Sequence, residues 1–324
     1  MVAVLLTLVL AFFAVRDARS SQTEGSARSS LTLIAPAAAG GGWDLVAREG
    51  QQALRTGAIV NTVQVVNIPG AAGTIGLSQL VRLRGEESTV MVTGTVMLGG
   101  IGRRPDGNTL QQVTPIARLA EDFEVIAVAA GSKFRTLQDL VSAWKAAPAS
   151  LPIGGGSAGG VDHLVAGQLA RAAGIDVSTI HYTAHAGGGE LTLSLLSTAS
   201  GTVDVGISGF NDFRDLIEAG RLRVLAVVAP ERLEGVDAPT MTELGYPGVD
   251  LVNWRGIVAP PDLSDAERTD LEEIVRQMVG TESWQAAVTR NRWVESLAYG
   301  DEFGTFLATE QQRIDGLLKE LGLL

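Results

Sequence analysis

The chain has 324 residues, 46% of them hydrophobic and 19% charged, which is enough for two packed domains and too apolar for a disordered tail. Its 25 basic and 36 acidic side chains leave a formal charge of −11, and that sign argues against nucleic acid, whose phosphates need clustered Lys and Arg. The absence of cysteine excludes disulfides, thiolate metal sites and a Cys nucleophile. Three histidines, His163, His181 and His185, are too few for most His-based metal sites, so neither metal nor cofactor is expected.

Met1–Val15 (MVAVLLTLVLAFFAV) is apolar except for Thr7. As a helix it reaches about 22 Å, short of a ~30 Å hydrocarbon core but the length of a secretory apolar region. Arg16, Arg19 and Arg28 follow the run and no basic residue precedes it, which reads as a start lying upstream of Met1; a buried terminal helix is the alternative. Ser20–Ser30 is small and polar, a linker. Residues 1–30 are therefore expected to be a signal or anchor segment with its linker. The protein would lie outside the cytoplasmic membrane, exported or tethered by residues 1–15.

From Leu31 onward, short β-branched runs alternate with helical stretches, the pattern of an α/β sheet. Strands are predicted at Leu31–Ala35, Val63–Val66 and Thr89–Thr93, with helices over Asp44–Arg55 and from Thr74. The glycine loops Pro36–Gly42 and Pro69–Gly73 join them. The same order returns as Leu151–Ile153, the loop Gly154–Gly160, helix Val161–Ala173, strand Thr179–Tyr182, the loop Ala186–Gly189, helix Glu190–Leu196 and strand Val203–Ile207. Gly41-Gly42-Trp43-Asp44-Leu45 even matches Gly159-Gly160-Val161-Asp162-His163 in spelling, at an offset of 118 residues. Arg223–Val228 and Leu251–Val258 read as two hinge strands passing between domains, with a turn-rich stretch at Pro239–Gly248. Ser264 and Glu267 have capping-box spacing. A last helix, Glu302–Leu321, should pack back on the first domain.

A strand that runs through a glycine loop into a helix leaves first-turn N–H groups unpaired, and the helix dipole adds positive potential there. Such a start holds an anion without Lys or Arg. The chain has four: Gly40–Asp44, Gly70–Thr74, Ser157–Asp162 and Gly187–Glu190. Facing each other in pairs, they would converge on one cleft. Asp44 and Asp162 also sit where first-turn acids stabilise a helix. Trp43 serves as a cleft wall or as a cover on the local core, and His163 as a partner of loop backbone or of ligand. Trp254 and Arg255 read either as an aromatic and a cation near the hinge or, the reading favoured, as Trp254 under a helix with Arg255 in solvent.

Two other motifs overlap the second loop. Gly155-Gly156-Ser157-Ala158-Gly159 matches G-x-S-x-G, the nucleophile elbow, but no histidine follows residue 185. Gly154, Gly156 and Gly159 match G-x-G-x-x-G, yet Thr179–Ala184 lacks the acid that binds a ribose. A Walker sequence is absent.

With these residues in hand, the chain resembles the extracytoplasmic solute-binding component of tripartite tricarboxylate transporters. The resemblance is carried by LTLIAPAAAGGGWDLVAR (31–48), VVNIPGAAGTIG (65–76), TPIARL (114–119), GGGSAGGVDHLVAGQLARAAG (154–174), GRLRVLAV (220–227) and NWRGIVAPP (253–261). It implies a type II periplasmic-binding-protein fold: two α/β lobes, a ligand cleft between them and hinge strands crossing. Lobe 1 would be residues 31–130 plus 251–324, and lobe 2 residues 131–250. It implies a non-enzymatic receptor that captures a small, citrate-like di- or tricarboxylate and passes it to membrane permease subunits. The receptor would act as a monomer. Carried over, the ligand-binding residues are Gly40, Gly41, Gly42, Trp43 and Asp44; Pro69, Gly70, Ala71 and Gly73; Ser157, Ala158, Gly159 and His163; Gly187 and Gly188; Ser208 and Asn211. Ala37 and Trp43 depart from the Phe and the Thr or Ser that many members carry there. The alternatives are a serine hydrolase using Ser157 and a receptor that presents its ligand to a sensor.

Overall fold

A computed structural model describes residues 26–197 and 202–324. The expected signal or anchor run and most of its linker lie outside the described residues. Among the described residues no helix is long and apolar enough to cross a membrane.

The chain opens with β1 (Ser30–Ala35), α1 (Gly42–Thr56), β2 (Thr62–Asn67), α2 (Thr74–Leu80) and β3 (Thr89–Gly94). β1 pairs in parallel with both β2 and β3, so the first strand is central and the next two flank it. β3 is buried at every position, which is why TVMVTG shows no polar alternation; β2, at the sheet edge, alternates exposed and buried. After α3 (Thr95–Gly102), β4 (Thr114–Asp122) joins this sheet and β5 (Glu124–Ala129) joins a second one. Following α4 (Leu137–Ala146), the opening order repeats: β6 (Ile153–Gly155), α5 (Val161–Ala172), β7 (Tyr182–Ala184), α6 (Gly188–Leu196) and β8 (Val205–Gly209). β6 again pairs in parallel with its two successors. α7 (Phe210–Glu218) and β9 (Leu222–Val228) complete the second sheet. β10 (Asn253–Ala259), α8 (Asp265–Val279), α9 (Glu282–Arg290), β11 (Val294–Tyr299) and α10 (Gly300–Glu320) return to the first.

The sheets read β2-β1-β3-β10-β4-β11 and β7-β6-β8-β5-β9. In each, a parallel trio continues into an antiparallel strand, β10 beside β3 and β5 beside β8. The duplicated pattern is thus a duplicated topology. This is the two-lobed α/β architecture of periplasmic binding proteins, with both strand-loop-helix pairs of each lobe at the carboxyl ends of its parallel strands.

Three expectations are corrected. The chain changes sheet at Phe123, between β4 and β5, ahead of the 130/131 boundary read from sequence. The hinge is therefore not a pair of crossing strands β9 and β10. One crossing is the Asp122–Glu124 bend, and the other is the irregular segment 229–252, tied to β9 by the Val227–Thr240 bridge. Thr179–Tyr182 is not the strand: Asp176 accepts from Ser178 N at 3.0 Å and holds Val177–Thr179 in a 3-10 turn, so β7 starts at Tyr182.

The capping box at the start of α8 forms, with Ser264 N donating to Glu267 Oε2 at 2.6 Å. α10 packs on the first sheet, where Phe303 fills the space over Gly256 and meets Trp254 edge-on at 5.8 Å. Its far end reaches the other lobe as well: Leu321 sits on Gly167 and Arg171 pairs with Glu320. A second inter-lobe contact is closer still. A Cβ on Gly99 of α3 would lie 2.1 Å from Gly159 O, and Arg103 Nη1 donates to Ala158 O at 2.6 Å. Only a side chain of one hydrogen lets α3 meet that loop. Gly99→Ala should therefore lower the melting temperature and enlarge the ligand-free radius of gyration in small-angle scattering. Gly131→Ala, with nothing within 4 Å of its Cβ, should do neither. Identical scattering from both variants would contradict a fixed stop at Gly99.

Candidate functional site

Between the sheets lies a cavity of about 450 Å³. All four glycine-loop helix starts border it, through Gly40–Trp43, Pro69–Gly73, Gly156, Ser157 and Gly160–Asp162, and Gly187 and Gly188. A fifth start, at α7, adds Ser208, Gly209, Asn211 and Asp212. The segment Gly70-Ala71-Ala72-Gly73 is left-handed throughout, with φ of 129°, 51°, 53° and 87°. Two consecutive alanines in that region are strained, and the turn they form borders the cavity.

Each neighbouring loop is organised by an acid of its own helix. Asp44 accepts from Gly40 N at 2.8 Å, Glu190 from Ala186 N at 2.7 Å and Asp212 from Ser208 Oγ at 2.7 Å, all four residues back. Asp162 reaches six residues back to Gly156 N at 2.5 Å. These bonds fix loop shape while leaving first-turn N–H groups free for another acceptor.

Several expected residues do not line the cavity. Asp44 is buried, bonded to Gly40, Asn67 and Arg48, and those hydrogen bonds hold its carboxyl below the usual range against the opposing effect of burial. His163 accepts from Gly159 N at 3.1 Å and stacks on Tyr182 at 4.0 Å; burial pushes its pKa down to about 4, with the Arg103 charge adding to the effect. Ala158 faces a smaller neighbouring pocket, and Gly159 is spent on the contact with α3. Trp43 combines both readings: it borders the cavity, is 6% exposed, and its ring packs where Gly73 has no side chain.

The floor is the part the sequence concealed. Arg255 is not in solvent. It is 6% exposed, its Nη2 lies 3.2 Å from Asp122 Oδ2 and its Nη1 donates to Asn253 Oδ1 at 3.0 Å. Asn253 Nδ2 in turn donates to Glu124 Oε1 at 2.9 Å, bridging the two sheets. Among the described residues Arg255 Nε has no hydrogen-bond partner. Asp122, Asp162, Asp212, Asn253, Arg255, His185 and Trp293 all border the cavity. The signal that could have found Arg255 was its strand: a cation inside NWRGIVA, where every residue is buried, cannot reach water.

Glycines admit these charges. A Cβ on Gly42 would lie 2.9 Å from Arg255 Nη2, one on Gly188 2.4 Å from Asp212 Cγ, and one on Gly209 3.0 Å from Asp122 Oδ2. Four carboxyls around one guanidinium cannot all ionise freely. Burial, reinforced by the Asp212 charge, raises Asp122 to about 6 despite Arg255, and burial raises Asp162 to about 7. Burial also raises Asp212, and Glu124 goes well above its ordinary range through burial and the charges of Asp162 and Asp122.

No hydrogen bond joins Ser157 to a histidine among the described residues: His163 is held by Gly159 N, and His185 Nδ1 lies 3.2 Å from Gly155 O.

Two lobes with a cavity between their sheets, bordered by glycine-loop helix starts, have the architecture of a solute-binding receptor. Residues 46–323 match the tripartite tricarboxylate transporter family receptor, and the chain belongs to that family. It is 24% identical to Protein BugT of Bordetella pertussis (strain Tohama I) over 90% of this chain and 89% of that one. Among solved structures it is similar to the periplasmic binding protein BugD (TM-score 0.78, 20% identity, covering 91% of this chain and 98% of that one). It is also similar to MatC of Rhodopseudomonas palustris with bound malate (TM-score 0.77, 19% identity, 90% and 99%). A further R. palustris protein, solved with adipate, matches with a TM-score of 0.78 and 21% identity over 91% and 97%. The members of this family are receptors, not enzymes.

The raised carboxyls give stability a sign. Between about pH 4 and 7 the folded chain keeps protons on Asp122 and Asp162 that the unfolded chain has released, so their contribution is lost as pH rises. His163 acts in the opposite direction below about pH 6.5, because the unfolded chain protonates it first. Asp162→Asn keeps an acceptor for Gly156 N and removes a charge. Its melting temperature should exceed that of the unsubstituted protein by about 2 °C or more at pH 8, and the gap should close toward pH 5. A gap independent of pH would contradict the buried charge at Asp162.

Proposed function

We propose that this receptor captures a small di- or tricarboxylate outside the cytoplasmic membrane and delivers it to the permease subunits of a tripartite tricarboxylate transporter. The observation that carries the reading is the convergence of four glycine-loop helix starts on one cavity whose floor holds a buried guanidinium with Nε unpaired. Each helix start contributes about 0.3–1 kcal/mol toward an anion, up to ~2 when partly buried. Hydrogen bonds to a charged ligand add about 1.5–3 kcal/mol each. Several together reach the ~8 kcal/mol of a micromolar ligand after the costs of association.

The ligand-binding residues in this reading are Gly40, Gly41, Gly42 and Trp43, the Pro69–Gly73 turn, Ser157, Gly187, Gly188, Ser208, Asn211 and Arg255. A carboxylate enters between the loops of the two lobes and accepts from main-chain N–H groups, while Arg255 meets it from below. The malate and adipate held by the two similar structures support small carboxylates as the ligand class. The family match supports the permease as partner. The apolar run at residues 1–15 supports export or tethering.

A thermal-shift panel of di- and tricarboxylates tests the reading. A ligand at 100 times its dissociation constant adds about 2.7 kcal/mol of stability. Removing the floor charge as the neutral pair Asp122→Asn/Arg255→Gln, which avoids leaving one ion buried alone, should keep the fold and weaken the best ligand about tenfold or more. If no acid in the panel stabilises the protein, carboxylate capture is wrong.

A further inference from the structure

Resting on the carboxylate-receptor reading, we infer that the ligand is an elongated diacid, and that Arg103 and Arg104 hold its second carboxylate in a cavity beside the main one. This second cavity, about 410 Å³, lies between the end of α3 in lobe 1 and the loops that follow β6 and β7 in lobe 2. Ala71, Ala72, Ser157 and His185 border both cavities, so the two stand side by side. Their charges differ. The main cavity is bordered by Asp122, Asp162 and Asp212 against Arg255 alone, and Arg255 is already paired with Asp122. The second is bordered by two guanidiniums and by no carboxyl.

Neither guanidinium is neutralised by the protein. Arg103 Nη1 donates to a neutral acceptor, Ala158 O, at 2.6 Å, and among the described residues the Arg104 side chain has no hydrogen bond or ion pair. Both residues are exposed, so their donors are open to solvent and to a ligand. Glycine brings them to the cavity. A Cβ on Gly159 would lie 2.5 Å from Arg103 Cδ, and one on Gly100 2.8 Å from Ala72 Cβ, so α3 stands against both the Ser157 loop and the Ala71-Ala72 turn. A guanidinium carries five donors in a planar fork that matches a carboxylate. Arg103 has spent one of them on Ala158 O and Arg104 none. With one carboxylate at the glycine-loop starts of the main cavity, a ligand that also uses these cations needs a chain long enough to pass the residues that the two cavities share.

Isothermal calorimetry on the intact receptor decides the matter with the α,ω-diacids from succinate to suberate, each set against the monoacid of the same chain length. The comparison reads the second carboxylate alone. At low salt the advantage of diacid over monoacid should grow with chain length and reach about fivefold or more in one of the longer acids. Because the cations are exposed, the advantage should shrink as salt is added. It should fall toward one in Arg104→Gln and in Arg103→Gln/Arg104→Gln, and drop below one in Arg104→Glu. The Arg104 guanidinium has no partner to lose, so the ligand-free melting temperature of its single variants should stay where it is and separates lost selectivity from lost folding. An advantage that is largest for succinate, or that survives both added salt and the double variant, overturns the inference and leaves carboxylate capture standing. Binding by no acid of either series overturns carboxylate capture, and the inference with it.

Discussion

The constraint on which the rest of the molecule depends is the burial of ions at the seam between two sheets. One guanidinium and three carboxyls, Arg255 with Asp122, Glu124 and Asp162, stand near where the chain crosses from lobe to lobe, each less than one-tenth exposed. A buried charge is tolerable only when paired and hydrogen-bonded. The chain meets that demand with Arg255 against Asp122, Asn253 joining Arg255 to Glu124, and protons retained on the remaining acids. It meets the steric half with glycine. Loops that look designed for close approach by a ligand also yield space to side chains of their own protein, as Gly42 does to Arg255 and Gly188 to Asp212.

The seam explains why the topology is interleaved. β4 and β5 are almost one strand, broken only at Phe123, and each ends against a strand from the other crossing: Asp122 is paired with Asn253 and Glu124 with Val228. The polar network lies across these same residues. The lobes are thus joined across a line of buried hydrogen bonds. The Gly99–Gly159 and Leu321–Gly167 contacts are two further places where the lobes touch.

The repeated strand–glycine loop–helix order was legible because it is local: β-branched runs, glycine clusters and first-turn acids stand side by side in the sequence. Both parallel trios follow from it, as do the helix starts that border the cavity. What was not legible is everything that depends on contacts distant in sequence. Asp122 and Arg255 are 133 residues apart and Glu124 and Asn253 are 129 apart, so no spacing rule joins them. β4, β5, α3 and α7 passed unremarked because LAEDFEVIAVA runs through two sheets without a turn residue and FNDFRDLIE begins at a strand's end with no Pro or Asx cap. Asp44 and His163 were open to two readings, loop partner or ligand contact, for the opposite reason. Their position in the first helical turn is the position of a ligand contact, and only the structure shows that their own loops already occupy them.

An anion receptor with a formal charge of −11 and an acidic floor looks self-defeating, but the distances resolve it. Exposed charges are screened beyond about 8 Å at physiological salt, so the surface acids contribute little inside the cavity. Inside it, the acids that matter are already partly neutral, through burial and mutual repulsion, and Arg255 divides its field between Asp122 and the cavity. In the proposed reading, a carboxylate near the Arg255 guanidinium competes with Asp122 for it, and whatever charge it withdraws favours a proton on Asp122. Ligand, proton and the crossing strand are thus connected through one side chain. Selectivity in that reading rests less on how much positive charge the site holds than on where its main-chain donors stand, which a fixed loop specifies better than mobile cations do.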